Sequence, residues 1–390
     1  MDLAKRRASL DEAMDVRGDW PERAPWLREA VSDLPRDLFA PTRLWRWDGR
    51  AYAPVDRRTD PEGWADELYG SQDAAAVTQV SGGLPSSSLS AQGVVVDMLD
   101  SLRLEPGHRV WDVGGGQGWN AALAAWRAGP GRVVSTEIDP GLAAFARDRL
   151  ATVGLGVEVL TADATTTPPD GGRFDRVIAG YAVERVPWTW IAATRPGGRI
   201  VHPWGRLGHV ALTVAADGRS ASGRVLGLGR FMADRNDPSP AALPAQRRVP
   251  ADVRELVARD PAPLHDDRDL RFALRVAVPD AVLATGHDEH GAATTWLHDG
   301  AASWASFSAV DGGRSVLRQG GARRIGDEVL LAWSQWESLG RPEPGAYGLT
   351  VTGEGQFAWL NDPHGGVRWP SGAPAPDGRG ATVRAGRPGS

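Results

Sequence analysis

The stretch RVWDVGGGQGWN, Arg109–Asn120, decides the fold. A short apolar run ends in Asp112, and glycines follow at 114, 115, 116 and 118. Glycine has no Cβ, so such a loop lets a ligand lie close to the backbone. The helix predicted to start near Gly118 or Asn120 would offer unpaired N–H groups at the same place. Outward from this point the pattern alternates. VVSTE precedes a helix led by Pro140, and VEVLTAD precedes a Pro/Gly loop. RFDRVIAGY, a short helix, RPGG and RIVHPWG follow. Strands that are continuously apolar and alternate with helices imply a parallel sheet covered on both faces. Such sheets bind ligands beyond the carboxyl ends of their strands, here after Asp112, Glu137, Asp163 and Gly180.

The glycine spacing is G-x-G-x-G, whereas a dinucleotide loop follows G-x-G-x-x-G. Asp112 beside the loop disfavours a diphosphate and favours a cation such as a sulfonium or an amino group. Glu137, 25 positions past Asp112, stands where a carboxylate accepts two ribose hydroxyls. Asp163 stands where one accepts the adenine amino group. S-adenosylmethionine satisfies all three. The alternative is a plain tight turn with Glu137 as a solvated strand end.

Composition bounds the rest. The 390 residues suit two or three domains. A net charge of −5 gives no field for nucleic acid. Cysteine is absent, which excludes disulfides, a thiol nucleophile and Cys-zinc or iron–sulfur sites. No apolar run reaches membrane-span length, and MDLAKRRASLDEAMD has no secretory pattern. The expectation is a cytoplasmic protein with no membrane partner. Four segments are expected. Residues 1–80 read as helices and irregular chain packed on the catalytic body, with Ser9 capping a helix. Residues 81–206 form the α/β ligand domain, beginning in a loop, SGGLPSSSLSAQG (81–93). Val95, Met98, Leu99 and Leu102 then mark an amphipathic helix. Residues 207–370 read as a smaller β-rich domain, with RFALRVAVPDAVL as a strand. Residues 371–390 lack core-forming side chains and read as a disordered tail.

SLSAQGVVVDML, the glycine loop, GRVVSTEIDPGLAAFARDRL, FDRVIAGYAVERVP and LPRDLFAP (34–41) together resemble the protein L-isoaspartate O-methyltransferase family, over about residues 34–206. The resemblance implies a Rossmann-like class I methyltransferase sheet. It implies S-adenosylmethionine held by Asp112, Gly114, Gly116, Gly118, Glu137 and Asp163. Ser90 falls where the family has a loop serine that contacts the substrate carboxylate, and Ser88 where threonine is common. Ser90 also reads as a helix N-cap. Departures are Gly115 in place of a loop hydroxyl, Gln92-Gly93 in place of a proline segment, and Gly180-Tyr181-Ala182 in place of a small TAA turn.

The length and the Trp-rich C-terminal half resemble the branch of the family associated with ATP-grasp ligases in ribosomal peptide maturation. That implies methylation of an aspartate in a macrocyclised precursor peptide, closure to an aspartimide, and association with a ligase. Repair methylation of isoaspartyl proteins is the alternative, and a non-catalytic scaffold is a third reading. HDEH (287–290) with His298 reads as solvated loop rather than a metal site, and no metal is expected. Arg247, Arg248, Arg318, Arg323 and Arg324 are candidates to grip an acidic peptide. Trp296, Trp304, Trp333, Trp336, Trp359 and Trp369 would line a groove or fill a core. Residues 230–236 are a candidate cover for the site.

Overall fold

The structure, a computed structural model, describes residues 2–205, 208–229, 231–235, 249–288 and 290–371. The expected tail lies almost wholly outside the described residues, as do Arg247 and Arg248. The chain divides into two units. The first comprises Met1–Arg235 with Thr350–Gly355, and the second Asn236–Leu349 with Gln356–Ser390. Among the described residues no helix is long and apolar enough to cross a membrane.

The first unit opens with α1 (Leu3–Arg17) and α2 (Trp26–Asp33). Asp2 rather than Ser9 caps α1, its carboxylate accepting from the Lys5 N–H. The expected helical and irregular segment contains a sheet. β1 (Arg43–Trp47), β2 (Tyr52–Asp56), β3 (Ala76–Ser81) and β4 (Leu84–Leu89) pair in the order β2-β1-β3-β4, and α3 (Pro61–Tyr69) lies between β2 and β3. The loop expected over 81–93 is therefore mostly strand and helix. Its only turn is Gly82-Gly83, at φ 58° and 80°, the two left-handed positions of a tight hairpin that favour glycine. α4 (Gln92–Leu102) follows, and it buries Val95, Met98, Leu99 and Leu102 as the periodicity predicts.

The central sheet is built from β5 (Val110–Val113), β6 (Val133–Glu137), β7 (Glu158–Thr161), β8 (Phe174–Ala179) and β9 (Thr194–Trp204). All four residues of β5 are buried, as a central parallel strand requires. The connecting helices are α5 (Trp119–Ala128), α6 (Pro140–Val153) and α7 (Trp188–Ala193). The order β9-β8-β5-β6-β7 reverses between β5 and β8, which makes their carboxyl ends the switch point for ligands. Trp111 and Trp190 are fully buried here. Each removes roughly 200 Å² from water, on the order of 5 kcal/mol at the usual coefficient.

The sheet does not stop at 206. β10 (Gly208–Val214) pairs antiparallel with β9, and β11 (Ser220–Leu228) with β10. The free edge of β9 continues the main-chain ladder, so residues 208–235 belong to the first unit rather than to the second domain. Next to β11 lies β17 (Tyr347–Thr352), whose Thr350–Thr352 also belong to the first unit. The Thr350 and Ser222 hydroxyls share a hydrogen bond at 2.7 Å.

The second unit is built on an antiparallel sheet of β12 (Val253–Val257), β13 (Val282–His287), β14 (Ala293–His298), β15 (Trp304–Val310) and β16 (Arg314–Gly320), ordered β12-β16-β15-β14-β13. It also holds α8 (Ala262–Asp266), α9 (Arg268–Ala277) and α10 (Ile325–Ser338), and β18 (Gly355–Leu360) paired with β19 (Arg368–Ser371). RFALRVA, expected as strand, is α9. Asp267 caps it by accepting from the Asp269 and Leu270 N–H groups, and this local signal outweighs the alternation of Phe272, Leu274 and Val276. Five of the six tryptophans are buried, Trp296 being half-buried, so they build core rather than an open groove. Two of their indole N–H groups reach backbone carbonyls: Trp304 Nε1 donates to that of Val249 at 2.8 Å and Trp336 Nε1 to that of Pro342 at 3.0 Å. Arg323 pairs with Glu328 and Arg324 with Asp252, so neither guanidinium is unpaired.

Candidate functional site

Three carboxylates come together at the ends of adjacent parallel strands. Asp112 lies within β5, Glu137 ends β6, and Asp163 stands two residues past β7. Asp112 is buried, and its Oδ2 accepts from the Ser135 hydroxyl at 2.7 Å. Its Oδ1 is buried with no hydrogen-bond partner among the described residues. Burial pushes the Asp112 carboxyl up to about 6, with Glu137 adding repulsion and the Ser135 hydroxyl opposing both. A buried carboxylate with one unmatched oxygen is suited to a cationic ligand.

The glycine loop turns over this carboxylate. The Gly114 and Gly115 N–H groups donate to the Thr136 carbonyl at 2.8 and 3.0 Å. Gly116 donates to Glu137 Oε2 at 2.9 Å, and Asp139 donates to Oε1 at 3.0 Å. A carboxylate has about four acceptor sites, so Glu137 keeps capacity for ribose hydroxyls. Gly118 caps α5 at φ 87°, and a Cβ there would meet Leu150 of α6 at 3.1 Å. Asp163 Oδ1 accepts from the Thr165 N–H and hydroxyl, which fixes the turn after β7.

Two departures from the family pattern acquire a physical reason. A Cβ at Gly115 would lie 2.1 Å from Ser135 Oγ and 3.1 Å from Asp112 Oδ2. The hydroxyl beside Asp112 therefore comes from β6 instead of from the loop, and position 115 has to be bare. Gly115→Ser alone is expected to cost about 1–3 kcal/mol of stability through overpacking. Ser135→Ala alone strips a donor from the buried Asp112, which costs a similar amount. Combined, each relieves the other. Chemical denaturation of the two single variants and the double should show strong non-additivity, and simple addition would refute the exchange. The second departure is Tyr181, in the altered turn after β8. Its ring covers Gly114, where a Cβ would meet Cδ1 at 2.5 Å. Trp190 packs edge-on against Tyr181, and His202 against Trp190.

The segment LPRDLFAP holds the serine loop. The Arg36 guanidinium is fully buried and donates to the Leu89 and Ser90 carbonyls at 3.1 and 2.9 Å, and also to that of Leu68. It lies 5.7 Å over the Trp119 ring, at the first turn of α5. The Trp119 Nε1 donates to the Leu34 carbonyl at 2.8 Å. Ser90 is half-buried and its hydroxyl makes no hydrogen bond to another described residue. It is not the helix cap: Ala91 occupies that position and no side chain caps α4. Ser88 is paired opposite Val77 in β4. Its neighbour Ser87, on the other face of the strand, is buried with Oγ 4.0 Å from a Cβ built on Gly116. Ser87 and Ser135 stand beside the glycine loop without any sign in the linear pattern, whereas Tyr181 was visible there only as a changed turn residue. In HDEH, Asp288 accepts from the His290 and Ala292 N–H groups and closes a turn, while Glu289 lies outside the described residues.

A family model described as protein-L-isoaspartate(D-aspartate) O-methyltransferase matches residues 55–225. The protein-L-isoaspartate O-methyltransferase 1 of Anaeromyxobacter sp. strain Fw109-5 is 33% identical over 212 residues, covering 54% of this chain and 85% of that one. The chain belongs to the protein-L-isoaspartate O-methyltransferase family. The enzyme of that name from Methanopyrus kandleri is 37% identical over 121 residues, 30% of this chain. The match spans about half of that relative's length, 54%. A solved protein-L-isoaspartate O-methyltransferase shares the fold, at TM-score 0.52 and 18% identity, over 91% of this chain and 100% of that one. The fold is the class I methyltransferase sheet, carrying an additional β-rich region. The family match encloses every candidate cofactor residue and both candidate serines, and it ends before the second unit begins.

Proposed function

We propose that the chain is an S-adenosylmethionine-dependent protein carboxyl O-methyltransferase acting on isoaspartyl-type carboxylates. The observation that carries this reading is the carboxylate triad around the glycine loop, inside the family match. Asp112 would face the cationic end of the cofactor, Glu137 the ribose hydroxyls and Asp163 the adenine amino group. The bare backbone at Gly116 would admit the cofactor's chain, the space beside Gly114 being filled by the Tyr181 ring. When bound, S-adenosylmethionine supplies an electrophilic methyl on a sulfonium that departs as a neutral thioether.

The protein has little chemistry to perform. The substrate carboxylate is ionised at pH 7, so no general base is needed. Alignment of nucleophile and methyl, and exclusion of water, are what the chain contributes. Ser90 suits the orienting role because its hydroxyl is uncommitted while its backbone is held by Arg36. Ser90→Ala is expected to lower kcat/KM for the carboxylate about 10- to 100-fold, the worth of one hydrogen bond to a charged group. The Kd for S-adenosylhomocysteine should not move.

A second reading takes the second unit, which lies beyond the family match, as a domain that recognises a modified peptide. In it the substrate is an aspartate of a ribosomal peptide cyclised by an ATP-grasp ligase. The neighbouring amide nitrogen attacks the methyl ester, methanol leaves, and an aspartimide closes. Intact mass spectrometry of an isoaspartyl peptide and of a ligase-cyclised precursor, each with enzyme and cofactor, separates the two. A gain of about 14 Da on the isoaspartyl peptide alone supports repair-type methylation. A gain of about 14 Da and then a net loss of about 18 Da on the precursor supports imide formation. Cofactor binding with neither change overturns both in favour of a scaffold.

A further inference from the structure

Past β11, residues 231–235 run across the carboxyl end of the first unit's sheet. Ala182 donates to the Met232 carbonyl at 2.7 Å, and Asp234 donates to the Ala182 carbonyl at 2.9 Å. Ala182 follows β8. Phe231 packs against the hydrophobic core. At its other end the segment is pinned by Arg235. The guanidinium donates to Asp139 Oδ2 at 3.1 Å, and to Gln79 Oε1 and the Ser86 carbonyl at 2.9 Å each. Gln79 Nε2 also donates to Asp139 Oδ2 at 3.1 Å. Asp139 follows β6. Since β5 lies between β8 and β6, the two anchors stand on either side of the strand from which the glycine loop leaves.

We propose that Arg235 is a positioning residue that closes this strap over the cofactor pocket. The proposal rests on the cofactor assignment made above. The strap is tied at one end to the turn carrying Tyr181, whose ring covers Gly114. At the other end, Asp139 continues through its own N–H to Glu137 Oε1, and Glu137 Oε2 holds the Gly116 N–H. One hydrogen-bonded chain therefore joins the clasp to the carboxylate assigned to the ribose. A closed clasp retains the cofactor. An open one lets the spent thioether leave. The ion pair is partly exposed, which keeps it weak enough to open in each turnover.

The test is calorimetric titration of the full chain with S-adenosylhomocysteine at low and high salt, for wild type, Arg235→Met, Arg235→Lys, Asp139→Asn and the Met/Asn double variant. Asparagine keeps an oxygen to cap α6, where Asp139 Oδ1 now accepts from the Gly141 and Leu142 N–H groups. The ligand has no net charge, so a salt dependence of its binding reports the clasp. The expected result is about 10-fold weaker binding for Arg235→Met, the scale of losing one charge-assisted contact. The salt dependence should vanish with it, Arg235→Lys should fall between, and the double variant should bind no worse than Arg235→Met. In turnover, KM for S-adenosylmethionine should rise while kcat holds. A merely structural arginine would instead lower kcat and melting temperature together. Wild-type affinity in both Arg235→Met and Asp139→Asn overturns the clasp. Failure of the wild-type chain to bind overturns the cofactor assignment itself.

Discussion

Gly114→Val weakens cofactor binding about a hundredfold or more, and methyl transfer with it, while the chain still folds: that is the expected result. Gly114 sits at φ 71°, a left-handed conformation that costs a side chain about 1–2 kcal/mol. Its Cβ would meet the Tyr181 ring at 2.5 Å, which adds an overpacking cost of about 1–3 kcal/mol. The chain can escape by moving the loop, and moving the loop breaks the Gly116 to Glu137 hydrogen bond that shapes the pocket. Together these amount to roughly a hundredfold loss or more in cofactor affinity, read by titration with S-adenosylhomocysteine. Adding Tyr181→Ser removes the collision but not the backbone strain, so recovery should be partial. Full activity in Gly114→Val would show that the loop does not approach the cofactor.

Asp112→Asn should separate binding from stability, with opposite signs. The Asp112 carboxyl titrates near 6 in the folded chain and about 4 when unfolded. Between those values the folded chain binds the proton better. Stability therefore falls as pH rises from about 4 to about 6, and stays reduced above. Asparagine removes that loss, so at pH 8 the ligand-free variant should be more stable than wild type by about 3 kcal/mol. A cationic ligand favours the ionised carboxylate, so wild-type affinity for S-adenosylmethionine should rise from pH 5 to pH 7 and then level. In Asp112→Asn the affinity should fall about 10- to 100-fold and lose that pH dependence. Thermal melts and titrations over this range check both arms. A variant that is less stable at pH 8, yet binds normally, would refute the assignment of Asp112 to the cofactor's cationic end.

The central sheet was legible because its information is local. Val110–Val113 is a short apolar run closed by a turn, and the acidic residues fall at strand ends by simple counting. The N-terminal sheet was not. RLWRW and YAPVD carry charges and a proline, which masked their alternation, although the Asp48-Gly49 turn that pairs them, with the Asp48 carboxylate accepting from the Arg50 and Ala51 N–H groups, was itself a local hairpin signal. The Gly82-Gly83 hairpin signal was present but lay hidden in a run of serines. Ser135 beside Gly115, and Tyr181 over Gly114, are contacts between distant chain positions, and no periodicity reports them. Arg235 reaches partners 96 and 156 residues away, Asp139 and Gln79. The bare position at 115 was visible as a departure from the family pattern. Its meaning was not, because the compensating hydroxyl lies on another strand.

The first unit is not finished where its continuous chain ends. Thr350–Gly355 returns to it after more than a hundred intervening residues, and Thr350–Thr352 lies beside β11. On a ribosome adding about 5–20 residues per second, β11 would wait roughly 6–25 s for that neighbour. During that interval its edge exposes unpaired backbone groups, a template for pairing with another nascent chain. A gene cut after codon 235 would make the interval permanent. Production of the methyltransferase unit alone is then a question of supplying residues 350–355, by permutation or by fusion, as much as of choosing where to cut.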